Sequence, residues 1–195
     1  MASIIRKELE FAGKKLVLET GQLAVQATLA VKASFGDTVV LATAVSGAPN
    51  PDLDYFPLTV NYEEKLYASG QIKSSRFVKR DGRPTDDAVI VKRLIDHAIR
   101  PLFPEDYMDE VQVACTVLSL DPASDPEFLS MIAVSACLHA SKIPWNGPMV
   151  SARVDYVNNS YVLCPPVYES RPDTKIDMMV SFAGEDRKFL AMEAE

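Results

Sequence analysis

The sequence predicts an α+β protein in which a mixed β-sheet carries its helices on one face. Apolar and polar residues alternate through much of residues 4–68, which is the pattern of half-buried strands. Two later segments have helical periodicity and begin with capping residues. One strand separates these helices and more strands follow the second, so the order is strands, helix, strand, helix, strands, as in a layered α+β fold.

The first third of the chain predicts a β-meander followed by one more strand. Small and polar residues mark its turns, at Ala12-Gly13 and at Gly36-Asp37, and a loop with two prolines occupies residues 50–57. The predicted strands lie within residues 4–20 on both sides of the first turn, and at residues 23–35, 37–47 and 58–68.

Two helices are predicted from their caps and apolar stripes. Thr85 is the predicted N-cap of the first helix, with two aspartates after it at the positive end, and Pro101 marks its C-terminal end. Asp125 and Pro126 are the predicted cap and first residue of the second helix. The strand between the helices, residues 111–120, is so apolar that we expect both of its faces to be buried.

Two hairpins are predicted after the second helix. The first turns at Asn158-Asn159, between strands at residues 148–157 and 160–166. The second turns at Gly184-Glu185, between strands at residues 175–184 and 187–195. Because the final strand has no covering element after it, we expect residues 1–195 to be one domain and a piece of a longer chain.

Composition excludes several classes of protein. The chain has 195 residues, a net charge of −7, three cysteines and two histidines. No apolar stretch approaches the roughly 18 residues of a membrane span and the N-terminus does not read as a secretory signal, so we expect a cytoplasmic protein without membrane contact. The cysteines are widely spaced and odd in number, which favours reduced buried thiols over disulfides or a zinc site.

A local basic segment stands out against this acidic background. Five cations lie within residues 71–83 against the single acid Asp81: Lys73, Arg76, Lys79, Arg80 and Arg83. Cations neutralise phosphates and a ring such as Phe77 stacks on a base, so the segment is typical of a contact with single-stranded nucleic acid. The alternatives are a solvated surface loop and an assembly loop that pairs with acids of a partner protein.

Arg93, His97 and Arg100 follow on the first helix at positions i, i+4 and i+7, so their side chains should point the same way. This stripe could border one groove with the basic segment, or it could pair with acids such as Asp96 or with a partner subunit. Among the acids, Asp121 and Asp125, with Asp52 and Asp54, could hold Mg²⁺. Since Asp125 already caps a helix, we predict no metal site.

Four segments together resemble the first ribonuclease PH-like core domain of the bacterial polynucleotide phosphorylase family, over essentially the whole chain. They are FPLTVNYEEKLYASGQI, FVKRDGRPTDD, LIDHAIRPLFPEDYMDEVQV and IPWNGPMVSARV, in this order. The resemblance implies a ribonuclease PH-like sheet of β-α-β-α type. It also implies a phosphorolytic 3′–5′ exoribonuclease that uses inorganic phosphate and Mg²⁺. The implied enzyme is a ring-shaped homotrimer, with partners in RNA-degradation complexes.

The same resemblance implies which residues contact single-stranded RNA. The family's Phe-Phe-Arg-Arg motif at the central constriction reads Phe77, Val78, Lys79, Arg80 here, so one ring and one guanidinium are replaced. The family's Arg-Pro-Ile-Arg stretch reads His97, Ala98, Ile99, Arg100. The residues expected to bind RNA are therefore Phe77, Lys79, Arg80, Arg83, Arg93 and Arg100.

No catalytic residue is expected in this chain. Active domains of the family have a glycine- or serine-rich phosphate loop before the second helix, whereas this chain has DPASDPEF at residues 121–128. Prolines remove backbone donors from this stretch, so we expect it not to bind phosphate. Catalysis would lie in a second core domain. The alternative is a non-catalytic RNA-binding ring subunit of an exosome-like complex.

Overall fold

A computed structural model describes residues 4–71, 83–157, 159–164, 174–184 and 186–194. Over these residues it contains the two predicted helices, α1 at Asp86–Ile99 and α2 at Pro126–Ala140. The strands are β1 (Ile5–Phe11), β2 (Lys14–Thr20), β3 (Leu29–Phe35), β4 (Thr38–Pro49), β5 (Leu58–Glu64), β6 (Asp109–Ser119), β7 (Met149–Val157), β8 (Ser160–Leu163), β9 (Ile176–Ala183) and β10 (Lys188–Ala194).

The first six strands form a mixed sheet in the order β1-β2-β3-β4-β6-β5. All neighbours in it are antiparallel except β5 and β6, which run parallel with Leu58 opposite Val111. A parallel pair needs a crossover connection, and α1 lies in that connection. The predicted mixed sheet is confirmed.

The last four strands form a second, antiparallel sheet in the order β10-β9-β7-β8. Helix α2 packs against β3 and β4 on one side and β7 on the other, and α1 packs against β5 and β10. Ser135 of α2 accepts a hydrogen bond from the Met149 backbone N–H at 2.9 Å and donates one to the Met149 carbonyl at 2.6 Å. The helices therefore lie on one face of the mixed sheet, as predicted, and the second sheet covers their other side.

Both helices begin where their capping side chains predict. The Thr85 hydroxyl accepts a hydrogen bond from the backbone N–H of Ala88 at 3.2 Å, and Asp125 accepts one from Glu127 at 2.7 Å. Helix α2 is buried on almost every side and carries Phe128, whose ring meets Phe35 edge-on at 5.1 Å. Neither helix in the described part of the chain has the length and apolar character needed to cross a bilayer.

Strand β6 differs from the sequence prediction in its burial. Val111, Val113, Cys115 and Val117 are buried, but Gln112 is exposed and the residues between the others are only half-buried. The expectation that both faces would be buried was therefore wrong, because helices cover only one face of the six-stranded sheet. Strand β3 also begins at Leu29, six residues after the predicted start.

Candidate nucleic-acid interface

The predicted contact residues Phe77, Lys79 and Arg80 lie in residues 72–82, outside the described part of the chain. The structure does describe both ends of this segment. Gln71 and Arg83 line one cavity of about 340 Å³, which lies beside the start of α1. The two described ends of the basic segment therefore lie beside the same cavity.

The walls of this cavity carry charges of both signs. Lys65 contacts Glu63 at 2.8 Å, and Glu64 accepts a hydrogen bond from the Tyr62 hydroxyl at 2.7 Å. Burial, together with the Glu64 charge, raises the pKa of Tyr62, so its hydroxyl stays protonated and donates. Arg83 is exposed and makes no hydrogen bond or ion pair with any residue that the structure describes.

The exposed side of α1 carries the second group of predicted contact residues. Arg93, His97 and Arg100 line a cavity of about 630 Å³ together with Met192 and Glu193 of β10. The i, i+4, i+7 spacing therefore does bring the three basic side chains to one surface, as predicted.

The two arginines of this surface differ in their contacts. The Nη2 atom of Arg100 donates to Asp96 Oδ1 at 2.7 Å and to the Leu58 carbonyl at 3.3 Å, and the guanidinium lies 5.9 Å from the Phe56 ring centre. Most of its donors already have protein partners. Arg93 is exposed and makes no hydrogen bond or ion pair within the described ranges. Arg93 is therefore the cation of this pair that remains available to a ligand.

The two basic surfaces lie at different places along α1. At a rise of about 1.5 Å per residue, the 14 residues of the helix span roughly 20 Å. Arg83 lines the cavity at the helix start, whereas Arg93 and Arg100 line the separate cavity beside β10. A strand of RNA that touched both would have to run along the helix.

The turn before α2 has its backbone donors occupied by protein oxygens. The Asp121 N–H donates to Thr38 Oγ1 at 3.0 Å, and the Ala123 N–H donates to Asp121 Oδ1 at 2.9 Å. That backbone hydrogen bond is the main reason why the pKa of Asp121 lies below its ordinary value. The N–H groups of Asp121 and Ala123 therefore bond to oxygen atoms of the protein, and the turn offers no row of N–H groups to an anion.

Magnesium does not fit at Asp121 and Asp125. One oxygen of Asp125 accepts from the Glu127 backbone and the other accepts from Arg153 at 3.0 Å. Lys14 lies 3.9 Å from Asp121 and donates to Ser124 at 2.6 Å, so a cation already occupies that side of the turn. Within the described ranges no three His, Cys, Asp or Glu side chains converge in a way that would hold a metal ion.

The sequence analysis missed a cluster of charged residues around Arg153 of β7. Its guanidinium contacts Asp177 at 2.5 Å, Asp125 at 3.0 Å and Glu127 at 3.7 Å. Burial lowers the pKa of Arg153, but its hydrogen bonds to Asp177 and the charge of Asp125 raise it above the ordinary value overall. Burial raises the pKa of Asp125, and it raises the pKa of Glu127 to about 7. The sequence signal was a pair of charges, Arg153 and Asp155, within an otherwise uncharged strand pattern.

The arrangement of two helices between a mixed sheet and an antiparallel sheet is the ribonuclease PH-like fold. Rice (Oryza sativa) Rrp46 has this fold with a TM-score of 0.68 and 12% identity, over 100% of this chain and 81% of that one. A chain of the Archaeoglobus fulgidus exosome, solved with RNA bound to the active site, also has this fold. Its TM-score is 0.68 and its identity is 18%, over 100% of this chain and 77% of that chain. At these identities the likeness shows the fold alone.

Sequence comparisons then identify the family. The profile of the 3′ exoribonuclease family, domain 1 (RNase PH), matches residues 12–144, and the chain belongs to this family. The polyribonucleotide nucleotidyltransferase of Beijerinckia indica subsp. indica is 50% identical over 100% of this chain and 27% of its own length. That of Rhodospirillum centenum is also 50% identical, with the same coverage. The predicted resemblance is confirmed, and the chain spans about a quarter of the length of these relatives.

Proposed function

We propose that residues 1–195 are the first core domain of a polyribonucleotide nucleotidyltransferase, an enzyme that degrades RNA from its 3′ end by phosphorolysis. The observation that carries this proposal is the extent of the sequence match. Enzymes with that name are 50% identical over the entire chain, while the chain accounts for only 27% of their length. An exosome-like subunit is less well supported, because those chains share only 12% and 18% identity.

In this proposal the chemistry occurs outside the present chain. Phosphorolysis needs an anchor for inorganic phosphate and carboxylates for Mg²⁺. The turn at residues 121–127 uses its N–H groups and its carboxylates internally, at Asp121 and at Asp125. We therefore assign phosphate and Mg²⁺ to a second core domain of the full-length enzyme.

The role proposed for this domain is to guide single-stranded RNA and to support a homotrimeric ring. Phe77, Lys79, Arg80 and Arg83 would contact RNA at the constriction, and Arg93 and Arg100 would lie beyond them. The exposed guanidiniums of Arg83 and Arg93, which have no bonded protein partner in the described ranges, support this assignment. We further propose a cytoplasmic location and partners in RNA-degradation complexes.

The function is tested by comparing the full-length enzyme with the isolated chain. With poly(A), phosphate and Mg²⁺, the full-length enzyme should release ADP, and residues 1–195 alone should release none. ADP release by the repurified fragment would contradict the assignment of catalysis to another domain. Failure of the full-length enzyme to release ADP would contradict the proposed activity itself.

The guiding role is tested by substituting Lys79 and Arg80 with alanine in the full-length enzyme. The expected result is weaker poly(A) binding and a shallower dependence of affinity on salt, because fewer counterions are released. Lys142→Ala is the control, since Lys142 is an exposed cation that lies after α2, far along the chain from the basic segment. Equal poly(A) affinity in the double variant and the control would contradict an RNA contact at these residues.

A further inference from the structure

The second sheet places polar side chains on the face that meets the helices. Ser151 of β7 and Ser181 of β9 lie opposite each other, their hydroxyls are 2.8 Å apart, and they are 1% and 0% exposed. The side chains of Arg153, Asp155 and Asp177 lie on the same face of the sheet as these serines. Side chains on one strand alternate between faces, so the residues between these point outward.

The outward face is apolar. Val150, Phe182 and Phe189 form one row across β7, β9 and β10, and they are 59%, 38% and 56% exposed. The two phenyl rings meet edge-on with their centres 6.0 Å apart. In the next row Ala152 lies opposite Val180, which lies opposite Met192. The register thus puts large apolar side chains side by side where water would contact them.

The pattern continues to the far end of the sheet. Val154 lies opposite Met178, and Tyr156 contacts Tyr161 of β8 with ring centres 4.9 Å apart. Among the strand residues that the structure describes, no charged side chain has an outward position. An antiparallel sheet with one solvated face ordinarily turns its polar residues to water, and the outer face of this sheet departs from that pattern.

We infer that the outer face of the second sheet is a docking surface for an apolar surface of another domain of the same polypeptide. Extended apolar patches on a protein surface mark sites of association, because burying them removes apolar area from water. This inference rests on the proposed function, in which the chain is one domain of a longer enzyme.

Three arguments favour another domain over other occupants. The chain matches only 27% of the length of its relatives, so polypeptide several times its own size is available to cover the face. A second copy seated on the same face would create a twofold interface, whereas the proposed ring has threefold symmetry. The absence of outward cations on the described strands argues against RNA, whose phosphates require them.

The test measures thiol accessibility in the full-length enzyme. Val150→Cys places a thiol on the outer face, and Phe189→Cys is a second variant on a different strand. Lys142→Cys is the control, because Lys142 is exposed and lies in the segment after α2, outside the strands of this sheet. The three cysteines of residues 1–195 are buried and add little background, and the unsubstituted full-length enzyme, labelled in parallel, measures the background of the remaining domains. We expect a maleimide to react at least tenfold more slowly at positions 150 and 189 than at position 142.

Each outcome distinguishes between occupants. Slow labelling that does not change when the protein is diluted supports docking of another domain in the same chain. Labelling as fast as that of the control overturns the proposal, since the face is then open to solvent, lipid or a transient partner. Slow labelling that becomes fast on dilution, with a fall in mass, overturns it in favour of a second copy. ADP release from the same preparation tests the proposed function separately.

Discussion

Arg153 Nη1 donates a hydrogen bond to Asp125 Oδ2 at 3.0 Å and so joins the second sheet to the capping residue of α2. The same guanidinium donates from Nε and Nη2 to both oxygens of Asp177, at 2.8 and 2.5 Å. Because Asp125 is only 1% exposed, its charge depends on this partner. One side chain therefore connects α2, β7 and β9.

Replacing Arg153 with alanine should destabilise the fold strongly. The change would leave Asp125 buried without its cation, and removal of one member of a buried ion pair costs about 3–5 kcal/mol. Urea denaturation followed by circular dichroism would measure the free energy of unfolding. Arg153→Lys should be intermediate, because an ammonium keeps the charge but not the planar two-pronged geometry that matches Asp177.

The control for this substitution is Arg6→Ala. Arg6 also contacts two carboxylates, Glu8 and Glu19, but its side chain is 53% exposed. Exposed ion pairs contribute about 0–1 kcal/mol, so this variant should remain close to the parent protein. Equal losses of stability in the Arg6 and Arg153 variants would contradict a special role for the buried cluster.

Glu127 should make stability depend on pH near neutrality. Burial, followed by the charge of Asp125, raises the pKa of Glu127 from 4.5 to about 7. At pH values between 4.5 and about 7, Glu127 is protonated in the folded protein but ionised in the unfolded chain. The resulting stabilisation is complete below about pH 4.5 and is lost as the pH rises through about 7.

The matched variant is Glu127→Gln, which stays neutral at every pH. Relative to this variant, the parent protein should lose on the order of 1 kcal/mol of stability between pH 5 and pH 8. This figure allows for the 33% exposure of the Glu127 side chain. Thermal or urea unfolding at several pH values measures the difference. A constant difference between the two proteins across this range would show that Glu127 does not titrate there.

Features with a local chemical signal were predictable from the sequence. Thr85 and Asp125 form the expected caps because a cap needs only its own helix. The partners of Arg153 were not predictable, since Asp125 and Asp177 reach it from distant parts of the chain. The alternation of side chains along a strand predicts which residues of β9 share a face. It does not predict that Ser181 faces inward and Phe182 outward. Only packing against the helices decides that choice.

The native thiols should be nearly inert in the folded protein. Burial raises the pKa of Cys115 and of Cys137 to about 12, and that of Cys164 to about 11. The reactive species is the thiolate, which is therefore scarce at pH 8. Ellman's reagent should titrate almost no thiol in native buffer and three per chain in urea. Rapid reaction of one cysteine without denaturant would indicate local opening around that residue.

Alanine substitutions of Arg93 and Arg100 should have different effects on RNA binding and on stability. Arg93 is exposed and has no bonded partner among the described residues, so Arg93→Ala should weaken poly(A) binding and leave the melting temperature unchanged. Loss of one phosphate contact reduces the slope of log affinity against log salt by about 0.7 for a single strand. This slope is measured by fluorescence anisotropy of labelled poly(A) bound to the full-length enzyme, at salt concentrations from about 50 to about 200 mM.

Arg100→Ala should have the opposite result. Its guanidinium holds Asp96 and the carbonyls of Phe56 and Leu58, so its loss should lower stability by about 1 kcal/mol. Because these contacts occupy its donors, its loss should change poly(A) affinity less than the loss of Arg93 does. If Arg100→Ala instead reduced the salt slope while Arg93→Ala did not, the RNA path would pass nearer the C-terminal end of α1 than Arg93. The protein contacts of Arg100 would then have to yield to phosphate when RNA binds.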